Sequence, residues 1–434
     1  MTQHPVTVVG GGVAGCAAAM AAARCGVPVT LLEQRPTREP PLHDNDLLCA
    51  LVGSPDLGAV ALDRATGLLK AELHELCPAL FDVAGQARIG EHSLTVDPER
   101  FARLATERIE AEPTIEVVRE EARALPQGIA VVATGPATWS PLARALHAAS
   151  GQPHRFSFLG RAPVLATEGL DVSAAQWAPL YPGADASLFV PISADEAEEL
   201  RARILAGERA MPAQMAADTV LGDEADPVER QAADPKLFGG RVVGGPRGPE
   251  ATVAGPALRL EAHDAARAAF GLPDLLTALT PEAQQHALGA VAALRGAQVM
   301  RPGLIHRLPW LAGGEALLPT LQLQRTPRVL LAGTLTGAVG YVEAMATGTV
   351  AGMSAARLAR GEAPGVPAAQ ALTGALCRAL VGPPPNDERM IQANFGMLPD
   401  DPEDQGKSKE QRRERQIPGA LAAIAEYARA ALDA

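Results

Sequence analysis

The chain has 434 residues, 38 Lys plus Arg against 50 Asp plus Glu, a formal net charge of −12, 47% hydrophobic residues and 20% charged ones. That length predicts two domains or one domain with a large insertion, the composition excludes a disordered chain, and the acidic balance argues against whole-surface attraction to RNA, DNA or an anionic membrane. Five cysteines, odd in number and without CxxC pairs, exclude a disulfide scaffold, and no metal site is expected.

The N-terminus is apolar but lacks a basic n-region, and Gly10 to Gly12 interrupt it early. It reads as a buried strand and turn rather than a signal peptide. No uncharged apolar run suits a bilayer span, so a cytoplasmic protein without a membrane partner is expected.

Residues 5–33, PVTVVGGGVAGCAAAMAAARCGVPVTLLE, form the clearest unit. A β-rich run (Val6 to Val9) meets glycines, then an alanine-rich helix, then a second strand from Val29 to Leu32. Gly10, Gly12 and Gly15 fit G-x-G-x-x-G, with Val13 and Ala14 between the last two, and Glu33 ends the second strand. Such glycines let backbone N–H groups approach a pyrophosphate at a helix N-terminus, and a carboxylate so placed accepts hydrogen bonds from a ribose. Strands, helix and acid together make a dinucleotide site the expectation.

Next comes LLCALVGSPDLGAVAL (47–62), which places Cys49 just before a Gly-Ser-Pro turn. Its neighbours Leu47, Leu48 and Leu51 are apolar, so Cys49 reads as a buried filler rather than a nucleophile; Cys16 and Cys25, flanking the alanine-rich helix, read as packing residues too. LTVDPERF (94–101) begins a helix ending near Glu112, and TIEVVREE follows as a strand. In IAVVATGPATW (129–139) a buried strand runs into Thr134 and Gly135, a second expected cofactor contact. Residues 151–297 change character, with Pro, Ala and acidic residues, a helical run at 194–210 and a glycine- and proline-rich turn region at 239–250. They read as an insertion domain between two parts of a discontinuous cofactor-binding domain, 1–150 and 298–434. RVLLAGTLTGAVGYVEAMATGTVAGMSAARLARG (328–361) reads as strand, glycine turn and a small-residue helix suited to close packing against something flat or against the first helix. KSKEQRRER (407–415) follows an acidic run, Asp400 to Asp404, and reads chiefly as a solvated helix surface. An RNA-phosphate contact through Arg412, Arg413 and Arg415 is the alternative.

At GGGVAG…LLEQRP, VDPERF…TIEVVREE, ATGP, PTLQL, AGTLTGAVGYVEAMATG, GLIHR (303–307) and ANFGMLP (393–399), the sequence resembles the folate- and FAD-dependent tRNA (uracil-5-)-methyltransferase family, in motif order over nearly the whole chain. The resemblance implies an α/β fold, a glutathione-reductase-like Rossmann-type FAD-binding domain interrupted by an α+β insertion domain. It also implies FAD as cofactor, with methylenetetrahydrofolate and NAD(P)H as substrates and tRNA as acceptor. Carried over by motif, Gly10, Gly12, Gly15 and Glu33 hold the ADP half, and Thr134 and Gly135 lie along the cofactor. Gly333, Thr336, Gly337, Gly340, Tyr341 and Val342 line the flavin and its ribityl chain. His306 and Tyr341 are the catalytic candidates, with His306 near the pterin.

The chain also departs from the family. Gly53 stands where the family's L-V-C-S-N-S-L loop carries a thiol, Ala225 and Val190 stand at two further cysteine positions, and Leu308 replaces the Asn of His-Arg-Asn. C5 of uracil is a poor nucleophile that methylation normally activates by thiolate addition at C6, and glycine or alanine cannot replace that thiolate. The resulting expectation is a FAD-dependent, folate-linked oxidoreductase working on a reduced folate or related heterocycle, with tRNA disfavoured. The alternatives are the intact methylenetetrahydrofolate-dependent tRNA uracil-5-methyltransferase and a non-catalytic FAD-bound module that binds RNA or a protein.

Overall fold

A computed structural model describes residues 5–40, 42–180, 184–210, 227–246, 253, 255–311, 313–382 and 390–432. In chain order the strands are β1 (Val6–Val9), β2 (Val29–Glu33), β3 (Asp56–Ala59), β4 (Ser93–Thr95), β5 (Ile115–Arg119), β6 (Ala130–Val132), β7 (Arg155–Arg161) and β8 (Val164–Ala166). They continue with β9 (Gln176–Pro179), β10 (Ala186–Pro191), β11 (Ala257–Ala262), β12 (Ala269–Gly271), β13 (Val299–Arg301), β14 (Leu304–Trp310) and β15 (Val329–Leu331).

One sheet has the order β15-β6-β1-β2-β5, and all its pairings are parallel. Its central strands are short apolar runs buried on both faces, as a parallel sheet covered by helices requires; β6 and β15 are buried throughout. The second sheet, β13-β8-β12-β11-β10-β9, is antiparallel. Between them, β7 and β14 pair from Arg155↔Trp310 to Arg161↔Leu304, forming a two-stranded ribbon.

The first helix, Val13–Arg24, is buried along nearly its whole length because two layers cover it. The sheet lies on one side and the helix Tyr341–Ala359 on the other. A Cβ on Gly348 would run into Ala14 O, and one on Gly352 into Ala18 O. Only hydrogen at these positions lets the two backbones approach so closely, so the small-residue helix does pack against the first one. Downstream, Asp97 caps the helix Pro98–Glu110 by accepting from Arg100 N at 3.0 Å, while Phe101, Ala105 and Ile109 turn inward at helical spacing.

Two element boundaries differ from expectation. The helix at 194 ends at Ala206, with Ser193 and Glu196 forming a capping box at its start. Residues 239–241 close the helix Pro235–Arg241 rather than opening a turn, and 247–250 lie outside the described residues. Among the described residues no helix is long and apolar enough to cross a membrane.

Candidate functional site

A cleft of about 610 Å³ runs along the C-terminal ends of β1, β2, β6 and β15 and continues under the antiparallel sheet. Strand ends of an open α/β sheet are where ligands bind in such folds. On the parallel-sheet side the glycine loop sets the geometry. Gly10 has φ +106°, a conformation that costs glycine nothing. Gly12, the N-cap of the first helix, lines the cleft, and a Cβ built on it meets nothing within 4 Å. The helix has no side-chain cap and no acidic residue in its first turn, so its N–H groups suit a phosphate. Gly15 serves packing instead, since a Cβ there would run into Gly10 O.

Glu33 lines the cleft, but its carboxylate is already engaged. Oε2 accepts from Gly11 N at 2.7 Å, while Oε1 accepts from Arg35 N at 2.9 Å and Arg35 Nε at 2.8 Å. Burial opposes ionisation, but Arg35 and the amide bonds outweigh it and hold the carboxyl below the usual range. Glu33 thus fastens the glycine loop, and a ribose would use only its remaining lone pairs.

The structure brings Gly10, Gly12, Val13, Ala14, Glu33, Thr134, Gly135, Gly333, Gly340 and Tyr341 to the cleft. Four other expected cofactor contacts, Gly15 among them, lie outside its lining. Thr336 is buried with its hydroxyl donating to Gly333 O at 2.7 Å, Gly337 packs on the Trp310 ring, and Val342 is core. His306 is also outside; its Nδ1 lies 2.7 Å from Arg307 O. Leu308 and Trp310, further along the same face of β14, line the cleft in its place.

Tyr341 lines the cleft, and its phenol oxygen accepts from Gly53 N at 2.7 Å. Burial pushes the phenol up to about 12 against the lowering effect of the Gly53 and Val52 amides, so it stays protonated at neutral pH. Gly53 itself faces the cleft with an ordinary φ; a Cβ on it would lie 3.2 Å from Tyr341 Oη.

No cysteine lines the cleft. All five are buried. Cys49 is held with φ 55°, donates its amide to Gly11 O at 2.9 Å and sits in the main core. Burial and the neighbouring Cys16 raise its thiol well above the usual value. Burial likewise pushes Cys77 up to about 11 and Cys377 up to about 12, and raises Cys25. Val190 is a buried residue of β10, and Ala225 lies outside the described residues.

The cleft is also lined by side chains that no local motif announced: His43, from the loop after β2, and Glu261, His263 and Arg301, on or next to strands of the antiparallel sheet. Burial, with the charges of Arg35 and Arg301 respectively, lowers His43 and His263 to about 4. Asp44 receives Arg161 at 2.5 Å and Arg301 at 3.8 Å, tying the loop after β2 to β7 and β13. Four cleft-lining residues hold buried polar atoms without a partner among the described residues: His43 Nδ1, Arg301 Nε, Trp310 Nε1 and Thr334 Oγ1. Unpaired buried donors and acceptors concentrated along one cleft mark it as a place for a polar ligand. A pyrophosphate-sized cradle, a ribose-side acid and this polar lining fit a dinucleotide with a second polar molecule beside it. No group of acidic, histidine or cysteine side chains suited to a metal occurs among the described residues.

Away from the cleft, the basic segment is locally compensated. Arg415 pairs with Asp401 at 3.0 Å and Glu403 at 2.8 Å, Arg413 donates to Asp63 O at 3.3 Å, and Arg412 donates to Lys407 O at 3.2 Å.

Comparison with known proteins agrees with this architecture. The family described as Glucose inhibited division protein A matches residues 5–363. The chain is 36% identical over 406 residues to the methylenetetrahydrofolate–tRNA-(uracil-5-)-methyltransferase TrmFO of Moorella thermoacetica, covering 91% of this chain and 92% of that one. It is 36% identical over 433 residues to the protein of the same name from Synechococcus sp. (strain JA-3-3Ab), covering 98% and 96%. Among solved structures, Aquifex aeolicus GidA in its form I crystal superposes with a TM-score of 0.73 at 17% identity, covering 99% of this chain and 76% of that one. The fold is the α/β, Rossmann-type FAD-binding fold of these proteins.

Proposed function

The chain belongs to the glucose inhibited division protein A family as a TrmFO-like member, and from that premise we propose that it is a FAD-dependent enzyme whose second substrate is methylenetetrahydrofolate. One observation supports the refinement: the glycine loop keeps a geometry suited to a phosphate, yet every thiol of the chain is buried away from the cleft, and Gly53, at the place where the resemblance puts a family thiol, lies beside Tyr341. We therefore read the chemistry as hydride or one-carbon exchange with a reduced folate, with NAD(P)H as electron source, and without activation of a base by a cysteine of this chain.

Bound in the cleft, FAD would supply a centre that exchanges a hydride or a one-carbon unit. The chain's own residues bind and orient. The N–H groups at Gly12 hold the pyrophosphate, Glu33 keeps the glycine loop in shape, and the Tyr341 phenol presents an un-ionised O–H. Leu308, Trp310 and Val164 exclude water from the inner cleft. In this reading residues 1–150 and 298–434 form the cofactor-binding part, and the insertion 151–297 supplies the antiparallel-sheet side of the cleft, with β13 carrying its sheet on to Arg301.

The second reading is the activity for which the relatives are named, folate-dependent methylation of uracil C5 in tRNA. Identity of 36% over 91% to 98% of the chain favours it, and a net charge of −12 does not stand against it, because a local patch is enough to bind RNA. It requires a nucleophile other than the buried cysteines. Incubation with FAD, NADPH, methylene-labelled methylenetetrahydrofolate and a tRNA transcript separates the two. Under the first reading, NADPH is oxidised only when both flavin and the folate are present, the label is recovered as the methyl group of methyltetrahydrofolate, and none enters RNA. Label at uracil C5 establishes the second, and protein that binds neither FAD nor folate ends both.

A further inference from the structure

We propose that Trp139 and Arg38 form a stacking clamp for the adenine ring of the bound dinucleotide, so that the outer end of the cleft selects FAD over flavin mononucleotide. This rests on the reading that the cleft takes FAD. In a Rossmann unit the pyrophosphate sits at the helix N-terminus and the ribose at the acid ending the second strand. Here those places are Gly12 and Glu33, so the base lies further out, where the cleft passes Gln34, Ala122, Ala137 and Trp139.

Trp139 is 46% exposed although it borders the cleft. The guanidinium of Arg38 stands 3.4 Å from the centroid of its ring, covering one face. A flat ring has two faces, and stacking on the second requires no rearrangement of the first. The platform is braced from three separate segments. Arg38, in the loop after β2, is anchored by Glu121, beyond β5, at 3.1 Å. Trp139 is the N-cap residue of the helix Ser140–Ser150, and its carbonyl accepts from Ala143 N at 2.8 Å. Gln34 Nε2 reaches Ala137 O at 3.5 Å, closing the gap between the β2 and β6 loops. A cation held against one face, with its charge met by Glu121, braces the indole, and the clamp takes a purine on the other face of this half-exposed, cleft-lining ring. Of the three tryptophans, Trp310 lies in the inner cleft and Trp177 is on β9 against Phe270, so neither can serve at this position.

The test titrates the full-length apoprotein with FAD and with flavin mononucleotide, which lacks the adenosine half. W139A is expected to weaken FAD by roughly tenfold or more, the range of one lost base–aromatic stack. Affinity for flavin mononucleotide should stay unchanged, which also shows that the variant is folded. W139F retains FAD affinity, and R38A, which leaves the ring in place, loses an intermediate amount. In W177F/W310F, whose sole tryptophan is Trp139, FAD quenches the emission and flavin mononucleotide does not. FAD bound equally by W139A and wild type, or no quenching in that background, overturns the clamp while leaving FAD binding intact. Wild-type protein that binds no FAD overturns both. Quenching by a tRNA transcript but not by FAD assigns the ring to an RNA base, and that also overturns the clamp.

Discussion

Two loops face the same cleft and have opposite relations to the fold. The glycine loop at 10–15 is interlocked with it: Gly11 N is bonded to Glu33, Gly15 is pressed against Gly10, and the helix that follows is clamped by Gly348 and Gly352. Gly53, in the loop at 51–56, makes one anchoring contact, its amide to the Tyr341 phenol. The glycine loop is therefore built into the core, whereas a side chain at position 53 would press on one neighbour, the Tyr341 hydroxyl at 3.2 Å.

The largest effect that would test this contrast is at Glu33. E33Q leaves Arg35, which is 2% exposed, without its counter-charge, and should destabilise the protein by about 3–5 kcal/mol with loss of bound flavin; thermal melts and flavin retention check it. G348V drives a side chain into the Ala14 backbone and should cost about 1–3 kcal/mol or more by the same measurements. An unchanged melting temperature in either variant would break the claim that the glycine loop belongs to the core. C49A removes a buried sulfur at about 1 kcal/mol and should leave any folate-dependent turnover as it was. G53C is expected to cost less still, since φ there is ordinary and Tyr341 need move only slightly. It should nevertheless create a thiol that reacts with a disulfide reagent in the native protein, where the five native thiols do not; an unreactive G53C would show that this loop is closed to solvent.

The cleft histidines add a pH dependence. His43 and His263 are lowered from 6.5 to about 4, so between those values the unfolded chain binds more protons than the folded one. Their contribution to stability is complete above pH 6.5 and is lost as pH falls toward 4. Melting temperatures of H43Q/H263Q should fall less over that window than those of the wild type, and equal slopes would contradict the assigned burial.

The glycine loop, Glu33, the Ala-Thr-Gly turn and the small-residue helix were all legible because backbone geometry dictates them: only glycine tolerates φ +106° at Gly10 or backbone contact at Gly348. The buried nature of Cys49 was also readable from its apolar neighbours. His306 was misplaced because neighbouring residues cannot say how far along β14 a cleft extends. The commitment of Glu33 to Arg35 was invisible as well, since a motif names an acid without naming what already holds it. His43, Glu261, His263 and Arg301 come from three distant segments that only the tertiary fold gathers. The stacked Arg38–Trp139 pair escaped for the same reason, its members lying on different loops.

The backbone contacts of Gly348 with Ala14 and of Gly352 with Ala18 join segments separated by most of the chain. A ribosome making this protein releases the glycine turn at 10–15 early, yet the helix that braces it emerges only after residues 151–297. Holoprotein assembly must therefore wait for late translation, and nascent chains truncated before that helix should emerge without flavin.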